Sequence, residues 1–128
     1  MGKKQTMLKL TALLPRHPDL TRQEFFKYWQ STHADIALKH QKALRFVKYV
    51  QTHIGYDDLN DALRGDRDCQ PPFDGVAQLW WESFEDMQSG IASMEAKEVF
   101  AILLEDEKKF IDVPNMAIWL GDEHVMFG

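Results

Sequence analysis

Histidine and tyrosine side chains in this sequence are spaced so that they could transfer protons without a cofactor. His33 follows aromatic residues at intervals of three and four, which places it on the apolar side of a predicted helix. Tyr49 and His53 are four residues apart in a strand-like segment, so they should point to the same side of it. A neutral imidazole can take or give a proton near pH 7, and a tyrosine can hydrogen-bond a developing oxyanion. The pattern predicts enolisation, dehydration, decarboxylation of a β-keto acid, or isomerisation.

Other polar residues lie within apolar segments and complete the candidate pocket. Asp74 stands at the start of the predicted third strand and is interpreted as a partner of His53. Lys9 and Thr11 interrupt an otherwise apolar first strand and are interpreted as substrate contacts. The walls of the pocket are expected to come from large apolar side chains, namely Phe26, Trp29, Leu79, Trp81 and Phe100.

Each of these residues also has a purely structural interpretation. A single histidine on a helix stripe usually bonds to a carbonyl group in the core, and a tyrosine in the middle of a strand usually packs. A histidine at a strand end is usually on the surface, and an aspartate before a glycine, as at Asp74, is a common turn residue. The functional interpretation depends on these side chains meeting in one pocket.

The composition narrows the class of protein. The net charge is −5 and no extended cluster of basic residues is present, so we expect no nucleic-acid partner. Glycine-rich phosphate loops and closely spaced histidine pairs are absent, so we expect neither a cofactor nor a metal. The single cysteine, Cys69, excludes an internal disulfide and fits a reducing compartment. No apolar run is long enough to cross a membrane and no signal peptide is evident, which predicts a cytoplasmic protein.

The helix that carries His33 is predicted over residues 20–40. Thr21 is a good N-cap residue, and Glu24, three residues later, completes a capping box. Strands are predicted at 7–14, 44–54, 73–82 and 116–120, with a possible edge strand at 124–127. Ser83 should cap a second helical region that runs to about residue 110, with its buried side marked by Val99, Phe100, Leu103, Leu104, Lys108 and Ile111.

The order of these elements is β-α-β-β-α-β, which predicts one domain over residues 1–128. The expected class is α+β and ferredoxin-like, with a four-stranded antiparallel sheet and helices on one face. The other face also carries leucine, valine and tryptophan, so it must be covered as well. A second copy of the chain, packed sheet against sheet in a homodimer, is the simplest cover.

Several segments together resemble the EthD-domain family of the dimeric α+β barrel superfamily. They are PRHPDLTRQEFFKYWQSTHADIA, KYVQTH, FDGVAQLWWESFEDMQS, FIDVPN and GDEHVMF, which extend over nearly the whole chain. The resemblance implies a ferredoxin-like protomer, a homodimer through the sheet faces, and a pocket in each protomer between the sheet and the helices.

Relatives in this superfamily include methylmuconolactone methylisomerases, polyketide cyclases, anthrone-type decarboxylases and quinone-forming monooxygenases. They act on phenols, lactones or polyketide rings without metal or flavin. The resemblance to the methylisomerases places their helix histidine on His33 and their strand tyrosine on Tyr49. Their second histidine falls in a loop that has none here, at residues 57–72, and an acidic residue common in the third strand is replaced by Gln78.

The leading hypothesis is a cofactor-independent lyase or isomerase that acts on a small aromatic, lactone or polyketide-like substrate. His33 would be the general base or acid, Tyr49 would bind the oxyanion, and His53 with Asp74 would carry a second proton. One alternative is a cofactor-free monooxygenase acting on a phenol. Another is a non-catalytic binding or accessory protein for a hydrophobic metabolite.

Overall fold

The computed structural model describes residues 7–128 and contains a four-stranded antiparallel sheet. Its strands are β1 (Leu8–Leu14), β2 (Lys48–His53), β3 (Gly75–Trp81) and β4 (Ala117–Asp122). They lie side by side in the order β2-β3-β1-β4, and every neighbouring pair is antiparallel. This arrangement confirms the predicted α+β, ferredoxin-like fold class.

The helices fill the connections of the β-α-β-β-α-β order. They are α1 (Arg22–Tyr28), a π-helical turn (Trp29–His33), α2 (Ala34–Lys39), α3 (Gln41–Leu44), α4 (Asp57–Gly65), α5 (Phe84–Ala92) and α6 (Met94–Phe110), with a 3-10 turn at Val113–Asn115 before β4. Within residues 7–128, no helix combines the length and the apolar character that a membrane crossing requires.

The first helical region begins as predicted but is not one continuous α-helix. The Thr21 hydroxyl accepts from the Glu24 N–H at 3.1 Å, and the Glu24 carboxylate accepts from the Thr21 N–H at 2.8 Å, which forms the capping box. The helix then widens at Trp29–His33, where the Ser31 hydroxyl donates to a backbone carbonyl one turn earlier. Such side-chain bonds compete with the regular ladder, and π-helical turns occur often at functional sites.

The observed strand boundaries differ from the predicted ones by up to four residues, and one predicted strand is not formed. β2 begins at Lys48 because Leu44 ends α3 and Arg45, with a φ of 66°, turns the chain in the left-handed region. β4 extends to Asp122, beyond the predicted end. The predicted edge strand at 124–127 is not formed, and Phe127 is almost fully exposed.

The helix-facing side of the sheet packs against two apolar clusters. One surrounds Trp81, and the other surrounds Phe25, Trp29 and Phe110. The indole ring of Trp29 lies directly on Gly75, where an added Cβ would approach its Cη2 atom to 2.6 Å. Only glycine leaves enough room for this contact.

The buried side of α6 differs from the predicted one. Val99 is buried, and Phe100 and Leu103 pack against the core. Leu104 is half exposed and Lys108 is exposed, whereas Asp106 is 5 % exposed. A carboxylate therefore occupies a core position on this helix.

Candidate active site

A small pocket lies between the helix-facing side of the sheet and the helices. Its volume is about 150 Å³. Most of the lining is apolar, and the polar groups in it come from three elements: His33 from the π-helical turn, Tyr49 from β2 and Glu107 from α6. The apolar lining residues are Leu10, Ala12, Leu14, Trp29, Ala37, Ala77, Leu79, Phe100, Leu103, Ile111, Met116 and Ile118.

His33 is held in the pocket wall by a buried carboxylate. Its Nδ1 atom lies 2.8 Å from Oδ2 of Asp106, and the two side chains are 12 % and 6 % exposed. The Tyr28 hydroxyl donates to the other oxygen, Oδ1 of Asp106, at 2.5 Å. Because Nδ1 is engaged by the carboxylate, Nε2 is the ring nitrogen available to a molecule in the pocket.

The electrostatics of this group favour a neutral imidazole with a free lone pair. Burial lowers the pKa of His33, although the hydrogen bond and the negative charge of Asp106 act in the opposite direction. Burial and the hydrogen bond to Asp106 raise the pKa of Tyr28 to about 12, so its hydroxyl remains a donor. At neutral pH, His33 is therefore suited to act as a general base.

Tyr49 presents a hydroxyl group to the same pocket. The Gln51 side-chain amide donates to the Tyr49 oxygen at 2.7 Å and to the Trp29 carbonyl at 3.0 Å. Burial raises the pKa of Tyr49, so the phenol keeps its proton. Since its oxygen already accepts from Gln51, its O–H is free to donate to an oxygen atom of a ligand.

Glu107 adds a carboxyl group to the pocket wall. Burial, with a smaller effect from the neighbouring Asp106 carboxylate, raises the pKa of Glu107 to about 7. Among the described residues, those that line the pocket include no lysine and no arginine. With neutral His33, protonated Tyr49 and a Glu107 that is about half protonated at neutral pH, the pocket carries little net charge near neutral pH.

Sequence reasoning missed both acidic residues of α6. The apolar stripe that includes Phe100 and Leu103 continues to positions 106 and 107 at helical spacing, and both positions carry acids. These acids interrupt a buried stripe in the same way that His33 interrupts the stripe of its own helix. Acidic residues within an apolar stripe were therefore the signal in the sequence that could have identified Asp106 and Glu107 as site residues.

The structure places five of the eleven predicted site residues around this pocket. His33 and Tyr49 supply polar groups, and three predicted wall residues line it as well, namely Trp29, Leu79 and Phe100.

His53 lies outside the pocket. Its ring stacks on Phe26 and on Trp29, with centroid distances of 4.6 Å in both cases, and it lines a separate open groove of about 630 Å³. Burial lowers the pKa of His53. The indole of Trp29 therefore lies between His53 and the pocket, so the predicted convergence of His53 with His33 does not occur.

The predicted pairing of Asp74 with His53 is not formed either. The Asp74 carboxylate accepts from the backbone N–H of Arg16 at 2.8 Å, and the Arg16 guanidinium lies 3.9 Å away. The His53 ring instead meets the Gln51 side chain at 2.9 Å. Asp74 thus anchors the chain just after β1.

The other four predicted substrate contacts also lie away from the pocket. Because side chains alternate along β1, Lys9 and Thr11 face the opposite side of the sheet from Leu10. Lys9 pairs there with Glu123 at 3.4 Å. Trp81 is buried in the neighbouring core, where its indole N–H donates to the Leu44 carbonyl at 2.8 Å, and Phe26 is occupied in stacking on His53.

In the part of the chain that the structure describes, no group of three or more His, Cys, Asp or Glu side chains is arranged to hold a metal ion.

Comparison with known proteins finds a matching family model and similar solved structures. The model of the EthD domain matches residues 17–114. No curated protein sequence matches the chain. A solved structure of an EthD family protein from Bacillus halodurans is similar, with a TM-score of 0.60 and 21% identity over 92% of this chain and 99% of that one.

Two further structures share the fold at lower identity. One is a dimeric protein of unknown function with a ferredoxin-like fold from Bacteroides fragilis, with a TM-score of 0.56, 10% identity, and coverage of 91% of this chain and 96% of that one. The other is SnoaB, a cofactor-independent oxygenase from Streptomyces nogalater, with a TM-score of 0.52, 13% identity, and coverage of 94% and 95%.

Proposed function

Since the chain belongs to the EthD-domain family, we propose that its pocket is the active site of a cofactor-independent lyase or isomerase. The reaction moves a proton on a small, uncharged, ring-shaped substrate. The observation that carries the proposal is the His33 imidazole, held neutral beside Asp106 in the wall of an apolar pocket. A base of this kind requires no metal or organic cofactor to remove an activated proton.

The size and charge of the pocket narrow the range of substrates that it can bind. Apolar cavities of about 150 Å³ take up benzene-sized molecules, so the pocket suits a single ring better than a fused polyketide. Among the described lining residues no lysine or arginine is present to bind a carboxylate. An uncharged lactone, cyclic ketone or phenol therefore suits it better than an anionic β-keto acid, and isomerisation or dehydration is favoured over decarboxylation.

The residues present define a first chemical step. Nε2 of His33 takes a proton from the carbon next to a carbonyl group, and the electron pair of that C–H bond moves to form an enolate. The Tyr49 hydroxyl donates a hydrogen bond to the enolate oxygen, and the Asp106 carboxylate stabilises the imidazolium. Removal of a phenolic proton would use the same groups.

A second candidate is a cofactor-independent oxygenase, because the fold is shared with the Streptomyces nogalater enzyme. Its first step would be the same removal of a substrate proton by His33, followed by reaction of the electron-rich anion with O₂. Consumption of O₂ separates this reaction from isomerisation or dehydration, which consume none.

The test is a conversion assay on uncharged lactones, cyclic diketones and phenols, with products identified by NMR and O₂ followed by an electrode. We expect conversion without O₂ uptake. We also expect a loss of at least ~10²-fold in kcat for His33→Gln, the usual size of a general acid–base contribution. His124→Gln, an exposed histidine outside the pocket, is the matched control. Stoichiometric O₂ uptake would support the oxygenase, and ligand binding without conversion would support a binding protein.

We also propose a homodimer through the sheet faces. Trp119 on β4 pairs with Thr11 on the side away from the pocket and is 50 % exposed. An exposed tryptophan on an open sheet face suits an interface, and the Bacteroides fragilis neighbour is described as dimeric. Light scattering should give twice the chain mass for the wild type and for Met94→Glu, an exposed apolar control, and a lower mass for Trp119→Glu. A monomeric wild type would contradict the proposal.

A further inference from the structure

We propose that Glu107 is the second catalytic residue of this pocket and delivers a proton to the substrate after His33 has removed one. This inference rests on the function proposed above and assigns to Glu107 the role that the sequence suggested for His53. It follows from where α6 places the carboxyl group, which charges surround it, and what the reaction needs.

The placement of Glu107 follows from helical spacing. Leu103 lies one turn before it on α6, and Ile111, the first residue after the helix, donates its N–H to the Glu107 carbonyl at 2.8 Å; all three line the pocket. The adjacent Asp106 points instead towards Tyr28 and His33. Two neighbouring acids on one helix are thereby separated: one holds the base from behind, and the other faces the ligand.

The groups that face Glu107 favour its protonated form. From its own helix the Asp106 carboxylate repels a negative charge, and the other titratable side chains among the described residues that line the pocket are the neutral groups of His33 and Tyr49. The nearby lysines of α6 are engaged elsewhere, since Lys108 pairs with Glu105 at 2.8 Å and Lys109 lies 3.8 Å from Asp106. The raised pKa of about 7 makes Glu107 a proton donor at neutral pH.

The proton balance closes without an oxidant or reductant. The C–H bond breaks, its proton goes to Nε2 of His33, and its electron pair forms the enolate. The O–H bond of Glu107 then breaks and its bonding pair stays on the carboxylate. Its proton forms a new C–H bond at a second carbon that is conjugated with the enolate, and the delocalised pair of the enolate makes this bond as the C=O group is restored. In a dehydration the enolate pair instead forms a C=C bond, the C–O bond at the neighbouring carbon breaks, and the leaving hydroxyl group takes the proton and departs as water. Solvent water then returns one proton from the imidazolium to the carboxylate.

The test compares Glu107→Gln with Glu98→Gln, which changes an exposed glutamate on the same helix. We expect Glu107→Gln to lower kcat by at least ~10²-fold with little change in KM. The kcat of the wild type should fall at high pH as Glu107 loses its proton. Glu107→Gln should remove this high-pH limb of the plot of kcat against pH, whereas Glu107→Asp should retain it. A role confined to packing would lower kcat without removing the limb. An unchanged limb, or a kcat within tenfold of wild type, would overturn the inference.

The outcomes separate this inference from the function on which it rests. If His33→Gln abolishes conversion while Glu107→Gln does not, the inference is wrong and the proposed function stands. If the wild type converts nothing in the panel, the function and this role both fail. If Glu107→Gln does not fold, a ¹³C NMR titration of the Glu107 carboxyl group in the wild type tests the inference instead. Titration near 7 supports the inference, and titration near the ordinary value of about 4.5 overturns it.

Discussion

The Nδ1 atom of His33 lies 2.8 Å from Oδ2 of Asp106, although 73 residues separate the two in the chain. Both side chains are almost buried, and the Tyr28 hydroxyl occupies the other oxygen of the carboxylate. The arrangement fixes the tautomer of the histidine and directs Nε2 to the ligand. Removal of one partner from a buried group of this kind leaves a hydrogen bond unmade and costs stability.

Replacement of Asp106 by asparagine should therefore lower kcat by roughly 10²-fold or more, within the range of a general acid–base contribution. The amide can donate to Nδ1, which would move the ring proton to Nε2 and remove the lone pair from the pocket. ¹⁵N NMR of the ring should show this change of tautomer.

Tyr28→Phe leaves the His33–Asp106 contact in place. It should cost about 1–2 kcal/mol of stability with kcat within tenfold. Equal losses of kcat in the two variants would contradict the orienting role of Asp106.

The pH dependence of kcat should be bell-shaped. Burial lowers the pKa of His33, so activity should rise with pH below its ordinary value of 6.5, as the base becomes neutral. Glu107 must be protonated to act as the acid, so activity should fall as pH rises through about 7. Initial rates over about pH 4–9 measure both limbs. A rate that increased steadily up to about pH 9 would contradict the assignment of an acid to the pocket.

Glu107 should also make the stability of the fold pH-dependent. Its folded-state pKa of about 7 is above its ordinary value of 4.5, so the folded state binds more protons between these limits. The free energy of unfolding should therefore fall as pH rises through this window. Between about pH 4.5 and 8, the free energy of unfolding of Glu107→Gln should increase by about 2 kcal/mol relative to that of the wild type. This value is smaller than the full linkage value because the carboxyl group is partly accessible to solvent. Urea unfolding measures the difference, and Glu98→Gln should show none.

The contact between Gly75 and Trp29 should be sensitive to a single methyl group. Gly75→Ala places a Cβ against the indole ring, so the ring must shift, at a cost of about 1–3 kcal/mol. Gly55→Ala meets no atom within 4 Å and provides the control. Because Trp29 lines the pocket and separates it from His53, the Gly75 variant should also raise KM. Equal urea midpoints for the two variants would show that the contact is not tight.

Local signals in the sequence predicted the fold well. The capping box at Thr21 and Glu24, the alternation along the strands and the order of elements need only short-range chemistry, and the structure contains them. The π-helical turn was not predictable from apolar periodicity. No residue type in this turn marks it as π-helical in the sequence, and its formation depends on how the helix packs.

The site was less predictable because it depends on contacts between distant segments. His33 and Tyr49 share a pocket as expected, but sequence alone does not show that Trp29 separates His53 from it. Asp106 and Glu107 interrupt an apolar stripe but were not predicted as site residues. The stripe alone does not show that α6 packs against the π-helical turn, which brings Asp106 to His33.

The most direct test of the account is solvent-deuterium incorporation during conversion in ²H₂O, measured by NMR on the product and the recovered substrate. If His33 removes a proton from carbon, wild-type protein should place deuterium at the reacting ring carbon. His33→Gln should lower the rate at least ~10²-fold, while His124→Gln leaves it unchanged. Incorporation that survives in His33→Gln within tenfold, or an isomerisation that leaves no deuterium at carbon in the product or the recovered substrate, would contradict the claim that His33 is the base of this pocket.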